Sequence, residues 1–324
     1  MRPVLAIDIG GTKLAAAVID PDGRIRGRSR VPVPRTDDAE DLFETLLACA
    51  AAALRGADTL PTGIDGIGCG CGGPMRWPDG RVSPINIPAW RDYPLRDRLA
   101  EEFQQPTVQV HNDAVALVAG EHWKGAGRGI RNLLAVTVST GVGGGLVLDG
   151  HLHHGTSGNA GHIGHVVVEP DGPTCACGGR GCLEAVSSGP STVERALAQG
   201  WRPPAGAEPD GQTLAAAAAH GDTTAHANLE RAGRGVGVAL ASSTHLLDLD
   251  TAVIAGGFAQ SGPAFWDSLR AAFHQHARMP FAAALRIVPS QIPADAGLLG
   301  AATFVLAPDR YGWDAGTAAG PSPA

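Results

Sequence analysis

Apolar and polar positions along this chain fall into two recurring blocks. In the first, Leu5-Ala-Ile-Asp-Ile-Gly-Gly-Thr leads into an apolar run over 14–20 and a turn at Asp22-Gly23. In the second, Leu134-Ala-Val-Thr-Val-Ser-Thr-Gly-Val-Gly-Gly-Gly leads into 146–149 and a turn at Asp149-Gly150. Each reads as strand, Gly-rich polar turn, strand, Asp-Gly turn. Such runs closed by turn residues predict β-hairpins. A unit duplicated in this way predicts two similar lobes facing a cleft.

An α/β alternation follows each block. The spacing of Leu42, Leu46, Leu47 and Ala50 predicts an amphipathic helix over 39–54. A strand over 64–68, a helix over 95–103, a strand over 107–110 and a helix over 114–123 come next. In the second half, 191–198, 214–219 and 225–247 read as helices and 251–255 as a strand ended by Gly256-Gly257. Helices over 265–277 and 296–306 complete the pattern. The resulting division is a small N-terminal α/β lobe over 1–117, joined by a C-terminal helix at about 296–307, and a large α/β lobe with a metal loop over 118–295. The stretch 308–324 is rich in Gly, Pro, Ala and Ser and reads as a flexible tail.

Composition narrows the class. The chain has 324 residues, enough for two domains, and 44% of them are hydrophobic, enough for a sizeable core. A net charge of -7 argues against nucleic acid or an acidic membrane as a general partner. No apolar run approaches membrane-span length, and no signal-peptide pattern precedes the first strand. Six cysteines, three scattered (Cys49, Cys69, Cys71) and three clustered (Cys175, Cys177, Cys182), make a poor disulfide framework. They fit a reduced cytoplasm with one metal site better.

Several segments carry chemistry. In Asp8-Ile-Gly-Gly-Thr-Lys13, Gly10 and Gly11 leave backbone N–H groups free to approach an anion, and Thr12 offers a hydroxyl. Asp8, at the strand end, is suited to hold Mg²⁺ through water. Ser139-Thr140-Gly-Val-Gly-Gly-Gly145 is a second anion nest. Either loop alone reads equally well as a tight hairpin, but two of them, both with hydroxyls, point to a triphosphate gripped from two sides. Gly68-Cys-Gly70-Cys-Gly-Gly73 matches a dinucleotide fingerprint but lacks the following helix; Pro74 and Pro78 carry it on as loop. His111-Asn112-Asp113 sits between a strand and a helix. There Asp113 either caps the helix or points a general base into a cleft.

The most specific local signal is His165 followed by Cys175-Ala-Cys177-Gly-Gly-Arg-Gly-Cys182. Three thiolates and an imidazole make a closed tetrahedral zinc site, structural rather than catalytic. His162 lies three residues before His165, and either is a possible ligand. The ligating histidine can offer its other ring nitrogen to a ligand hydroxyl, and Glu184 brings a carboxylate to the same loop. His151, His153 and His154 read as loop-surface residues.

Together these motifs resemble the ROK family of bacterial sugar kinases and sugar-responsive repressors, over about 4–306. The carriers are Asp8-Ile-Gly-Gly-Thr-Lys, His111-Asn-Asp, Ser139-Thr-Gly-Val-Gly-Gly-Gly, Gly161-His-Ile-Gly-His, Cys175-Ala-Cys-Gly-Gly-Arg-Gly-Cys-Leu-Glu and Asp295-Ala-Gly-Leu-Leu-Gly. The resemblance implies an α/β, actin-like and hexokinase-like (ribonuclease H-like) fold of two lobes, with ATP and sugar meeting in the interdomain cleft. It implies Asp113 as the base that takes a proton from the sugar 6-hydroxyl. It places Asn112, Glu184, His165, Gly73 and Asn86 on sugar-contact positions, Thr12, Thr140 and Gly141 on phosphate contacts, and Gly256 and Gly257 on the nucleoside side. It also implies a homodimer or homotetramer. Many glucokinases of the family carry Glu where this chain has His162. A histidine donor suits the carbonyl of an N-acetyl group, and the stretch also resembles bacterial N-acetylmannosamine kinases. N-acetylmannosamine therefore stands beside glucose as the expected substrate.

Two other classes compare poorly. Repressors of the family carry a helix-turn-helix ahead of the kinase-like part, and this chain begins at the first phosphate strand. A zinc hydrolase needs an open coordination position, which a closed four-ligand site does not leave.

Overall fold

The computed structural model describes residues 1–105 and 107–312. The chain forms two compact units. One comprises Met1–Gly129, Leu146–Ala160 and the chain from Ala294; the other comprises Ile130–Gly145 and Gly161–Pro293.

In the first unit, β1 (Val4–Ile9), β2 (Lys13–Ile19) and β3 (Ile25–Pro32) form an antiparallel meander. Helix α1 (Ala39–Gly56) follows, capped by Asp38, whose side chain accepts from the Glu40 N–H. It buries Leu42, Phe43, Leu46, Cys49, Ala50, Ala53 and Leu54, the face its periodicity predicts, with Leu47 half-buried. Next come β4 (Ile67–Cys71), a hairpin of β5 (Met75–Arg76) and β6 (Arg81–Val82), α2 (Leu95–Phe103), β7 (Val108–Asn112) and α3 (Asp113–Lys124). The sheet order is β3-β2-β1-β4-β7, with β1, β4 and β7 parallel.

Strand β4 corrects two expectations. The sequence predicts a strand over 64–68 and a loop through 68–73, yet Ile67–Cys71 is the strand. Gly-Cys-Gly-Cys has weak intrinsic strand preference. Here it lies between two strands and all five residues are buried, so the neighbours impose the conformation. No helix begins after Gly73, in keeping with rejection of the dinucleotide reading.

The second half continues with β8 (Leu133–Val138), β9 (Val142–Leu148), β10 (His151–His153), α4 (Leu183–Ser187), α5 (Gly189–Ala198), α6 (Gly211–Ala219), α7 (Thr223–Leu247), β11 (Thr251–Ala255), α8 (Pro263–His276), α9 (Pro280–Ala283) and β12 (Arg286–Pro289). Its sheet runs β10-β9-β8-β11-β12, with β8, β11 and β12 parallel. The strand order repeats the plan of the first sheet: an antiparallel meander feeding parallel strands. Strands β3 and β12 were not anticipated; both are edge strands with half-polar sequences, Ile-Arg-Gly-Arg-Ser-Arg-Val-Pro and Arg-Ile-Val-Pro.

Helix α10 (Ala296–Leu306) packs on α3 and β4 within the first unit. Pro308–Tyr311, expected to open a flexible tail, form a short helix α11. The Tyr311 side chain is buried, and its hydroxyl lies 2.7 Å from Nδ1 of buried His122. The remainder of the expected tail, 313–324, lies outside the described residues. Among the described residues no helix is long and apolar enough to cross a membrane.

Candidate active site

In open sheets with parallel strands, ligands are met at the carboxyl ends of those strands. The first unit gathers its chemistry there. Asp8 near the end of β1 pairs in register with Gly70 of β4, and Gly70 pairs with His111 of β7. Asp113 is the first residue of α3, directly after β7. A Cβ on Gly70 would lie 3.4 Å from the Asp113 Cα and 4.0 Å from Asp8 Oδ1. The Asp8 carboxylate and the backbone of Asp113 therefore flank the same glycine, and the charge of Asp8 is felt at Asp113. Asp8 is also flanked by the start of α10, where a Cβ on Gly297 would come within 3.0 Å of its carboxyl carbon. Neither Gly70 nor Gly297 was assigned a role from sequence. The available signal was the Asp295-Ala-Gly-Leu-Leu-Gly motif.

The capping role read for His111-Asn-Asp falls on Asn112 rather than on Asp113. Asn112 is the helix cap, its side-chain oxygen accepting from the Ala114 N–H at 2.9 Å. Asp113 accepts from the same N–H at 2.8 Å through Oδ1. Burial raises the Asp113 pKa to about 6, the nearby charge of Asp8 adding to the rise, against the lowering pull of backbone N–H groups. Burial likewise raises Asp8, with Lys13 and Arg30 opposing it.

The loop between β1 and β2 is held by Gly10 N–H donating to the Lys13 carbonyl at 3.0 Å. Gly11, Thr12 and Lys13 are exposed. Gly11 touches Asn86: a Cβ there would lie 2.9 Å from the Asn86 Cβ. Gly11, Thr12 and Asn86 share the wall of a cavity of about 690 Å³ with the 32–37 segment. Gly73 stands at the end of the β4 turn, its carbonyl accepting from Ile85 N–H at 3.1 Å. The first unit thus brings together Asp8, Gly10, Gly11, Thr12, Lys13, Gly73, Asn86, Asn112 and Asp113.

His154 departs from its expected surface role. It is half-buried and stacks on both Trp77, at 5.1 Å, and His111, at 4.8 Å, and its Nε2 lies 3.1 Å from the Gly312 carbonyl oxygen. His151 and His153 are exposed, as the sequence suggests. Burial holds the His111 pKa well below the usual imidazole value. The ring beside the candidate base is accordingly uncharged at neutral pH.

In the second unit the Ser139–Gly141 turn and Gly256 meet at the carboxyl ends of β8 and β11. Ala255 pairs with Thr137, and Gly256, at φ +93°, packs against the backbone of Val138. That left-handed φ and the approach of Val138 require glycine. Thr140 and Gly257 are exposed at the same edge. Glu184, in the first turn of α4, accepts from the Val142 N–H at 2.9 Å. This bond to the phosphate-type loop is invisible in the sequence.

The metal-type cluster assembles in the same unit. Ligand atoms of His165, Cys175, Cys177 and Cys182 all lie within 4.8 Å of one another. His165 Nδ1 is 3.8 Å from Cys175 Sγ, and Cys177 Sγ is 3.8 Å from Cys182 Sγ. Tetrahedral zinc with Zn–S bonds of about 2.3 Å requires S···S edges of about 3.8 Å, so the donor set fits zinc. Of the two candidate histidines it is His165 that joins the cysteines. His162 stacks on it, ring centroids 6.3 Å apart. Burial raises the Cys175 thiol and pushes Cys182 up to about 12, whereas the Gly179 N–H lowers Cys177. A divalent cation would offset the cost of ionising the two buried thiols.

Residues 4–308 match the model of the ROK family. The chain is 33% identical to a glucokinase of Thermotoga maritima, over 93% of this chain and 96% of the relative. It is 36% identical to an N-acetylmannosamine kinase of Shigella flexneri, over 92% and 97% respectively. A ROK family glucokinase from Streptomyces griseus, crystallised with glucose and AMPPNP, superposes with a TM-score of 0.79 at 31% identity, covering 94% of this chain and 99% of that one. The fold is accordingly the actin-like, hexokinase-like α/β class that the paired sheets suggest. With a family match over nearly the whole chain and relatives above 30% identity that each align over more than nine-tenths of it, this protein belongs to the ROK family.

Proposed function

We propose that this protein is an ATP-dependent sugar kinase that transfers the γ-phosphoryl group to the 6-hydroxyl of a hexose or N-acetylhexosamine. One observation carries the reading: Asp113, at the carboxyl end of β7 and beside Asp8, has its pKa raised to about 6. Phosphoryl transfer asks little covalent chemistry of a protein; it asks for positioning, charge stabilisation and a carboxylate to receive the hydroxyl proton. A carboxylate with a pKa near 6 is ionised at neutral pH yet binds a proton more readily than an ordinary one.

In this reading Asp113 accepts the proton of the attacking hydroxyl. Asn112, whose side-chain oxygen is committed to the helix cap, turns its NH₂ group to the sugar. Gly73, Asn86, His162, His165 and Glu184 complete the sugar contacts. Gly10, Gly11, Thr12 and Lys13 face the triphosphate from one loop, Thr140 and Gly141 from the other, and Gly256 and Gly257 border the nucleoside. Asp8 would hold Mg²⁺ through water. His165, Cys175, Cys177 and Cys182 would hold a structural zinc that braces the loop; His165 Nδ1 faces the sulfurs, which leaves Nε2 for a sugar hydroxyl. A cytoplasmic homodimer or homotetramer fits the family reading, with no nucleic acid or membrane partner.

His162 favours N-acetylmannosamine slightly over glucose, because an imidazole N–H can donate to the acetyl carbonyl. A coupled ADP-release screen over glucose, mannose, N-acetylglucosamine and N-acetylmannosamine tests the proposal. Turnover of none of them would refute the kinase, and glucose turned over far faster than N-acetylmannosamine would refute the role of His162.

A further inference from the structure

The second unit interlocks two things that a kinase must use together. Glu184 lies just beyond the cysteine loop and has been assigned above to the sugar. Yet its Oε2 accepts from the Val142 N–H at 2.9 Å, at the start of β9 and directly after the Ser139–Gly141 turn assigned to phosphate. Gly141 is pressed against the same oxygen: a Cβ there would fall 2.6 Å from it. The contact is not isolated. Gly189, five residues after Glu184, donates its N–H to the Ser139 carbonyl at 2.9 Å. Further along the same segment, a Cβ on Gly144 would meet Ile163 at 2.8 Å and the Gly161 carbonyl at 2.9 Å. Glu184 and Ile163 therefore both pack against the 139–145 segment.

A carboxylate hydrogen-bonded to this loop places negative charge beside Thr140 and Gly141. That charge opposes a triphosphate arriving at the same backbone. Sugar hydroxyls donating to Glu184 would draw part of its charge toward themselves in charge-assisted hydrogen bonds. The loop would then accept phosphate more readily.

We propose that Glu184 is a positioning residue that couples sugar occupancy to nucleotide affinity through the Val142 N–H. The proposal rests on the kinase reading above. Sugar binding should tighten nucleotide binding, and nucleotide should tighten sugar by the same factor, because coupling of equilibria is reciprocal.

Binding of Mg·AMPPNP is measured by calorimetry with and without N-acetylmannosamine or glucose, in the full chain and in Glu184→Gln. Glutamine keeps an oxygen for Val142 N–H and removes the charge. In the unchanged protein, sugar should raise nucleotide affinity by about 5- to 100-fold. The Glu184→Gln variant should bind nucleotide without sugar several-fold more tightly than the unchanged protein, and sugar should no longer alter it. A Glu184 that only contacts sugar would give a variant with weakened sugar binding and unchanged sugar-free nucleotide affinity. That result, or a weakened nucleotide affinity, overturns the proposal. Hydrogen exchange in the unchanged protein supplies a measurement free of any folding defect. Sugar alone should change the exchange of the 139–145 segment, and no change there also overturns it. An unchanged protein that binds neither sugar nor nucleotide would instead sink the kinase reading.

Discussion

Replacing Asp113 by asparagine should separate activity from stability in opposite directions. The substitution keeps the volume and keeps an oxygen to accept from the Ala114 N–H, a bond of 2.8 Å in the present structure. It removes a charge that the fold holds at a cost. The Asp113 pKa rises from 3.8 to about 6 on folding. A shift of that size corresponds to about 3 kcal/mol at full ionisation, at about 1.4 kcal/mol per unit. Asp113 is only partly buried, so solvent screens some of this and about 1–3 kcal/mol remains. The sign follows from proton counts. Between pH 3.8 and about 6 the native state binds the proton and the unfolded chain does not, so stability falls as pH rises through that window. Asp113→Asn should therefore be more stable than the unchanged protein by about 1–3 kcal/mol at pH 8, about half that at pH 5, and no more stable below about pH 4. Turnover, by contrast, should fall by at least about 10²- to 10⁴-fold, the usual worth of a general base. Urea unfolding of the ligand-free protein across that pH range, with steady-state ADP release, measures both. Wild-type-like turnover would dismiss the base; a stability difference that is independent of pH, or of the opposite sign, would dismiss the desolvated carboxylate.

Other expectations follow from the same geometry. The pH profile of kcat/KM should rise with pH through about 6, since the base must be ionised; a flat profile between pH 5 and 7.5 would count against Asp113. Cys177→Ser should lose most of about one zinc per chain, measured by metal analysis, and melt at lower temperature; unchanged zinc stoichiometry would reject the ligand set. His162→Glu should move the ratio of glucose to N-acetylmannosamine kcat/KM toward glucose by about tenfold, the worth of one hydrogen bond gained or lost; an unmoved ratio would remove His162 from substrate choice. Tyr311→Phe should cost about 1–2 kcal/mol in urea unfolding, because it strips buried His122 Nδ1 of a partner 2.7 Å away. No measurable loss would mean that α11 contributes nothing to the unit.

Local pattern determined a good deal of this protein. The strand-turn-strand blocks, the apolar stripe of α1, the long α7 and the closing α10 are all set by spacing within a dozen or so residues, and the folded chain has them. The cysteine loop was legible for the same reason: three thiols within eight residues of a Gly-rich turn can converge by local folding alone, and their sulfurs and the His165 ring lie within 4.8 Å of one another. What pattern did not determine depends on contacts between distant segments. Gly-Cys-Gly-Cys became the buried strand β4 because β1 and β7 flank it, not because of its own preference. Asp113 is adjacent in sequence to the Asn112 cap, but its raised pKa comes from burial and from Asp8, which is brought near it at Gly70 from a strand 105 residues earlier in the chain. The choice of His165 over His162 as the histidine of the cysteine cluster, the stacking of His154 on His111 and the bond from Val142 to Glu184 are of the same kind. Periodicity fixes which face of an element is buried. Which residue of another element meets that face, and so where charge is desolvated, is settled only when the sheets form.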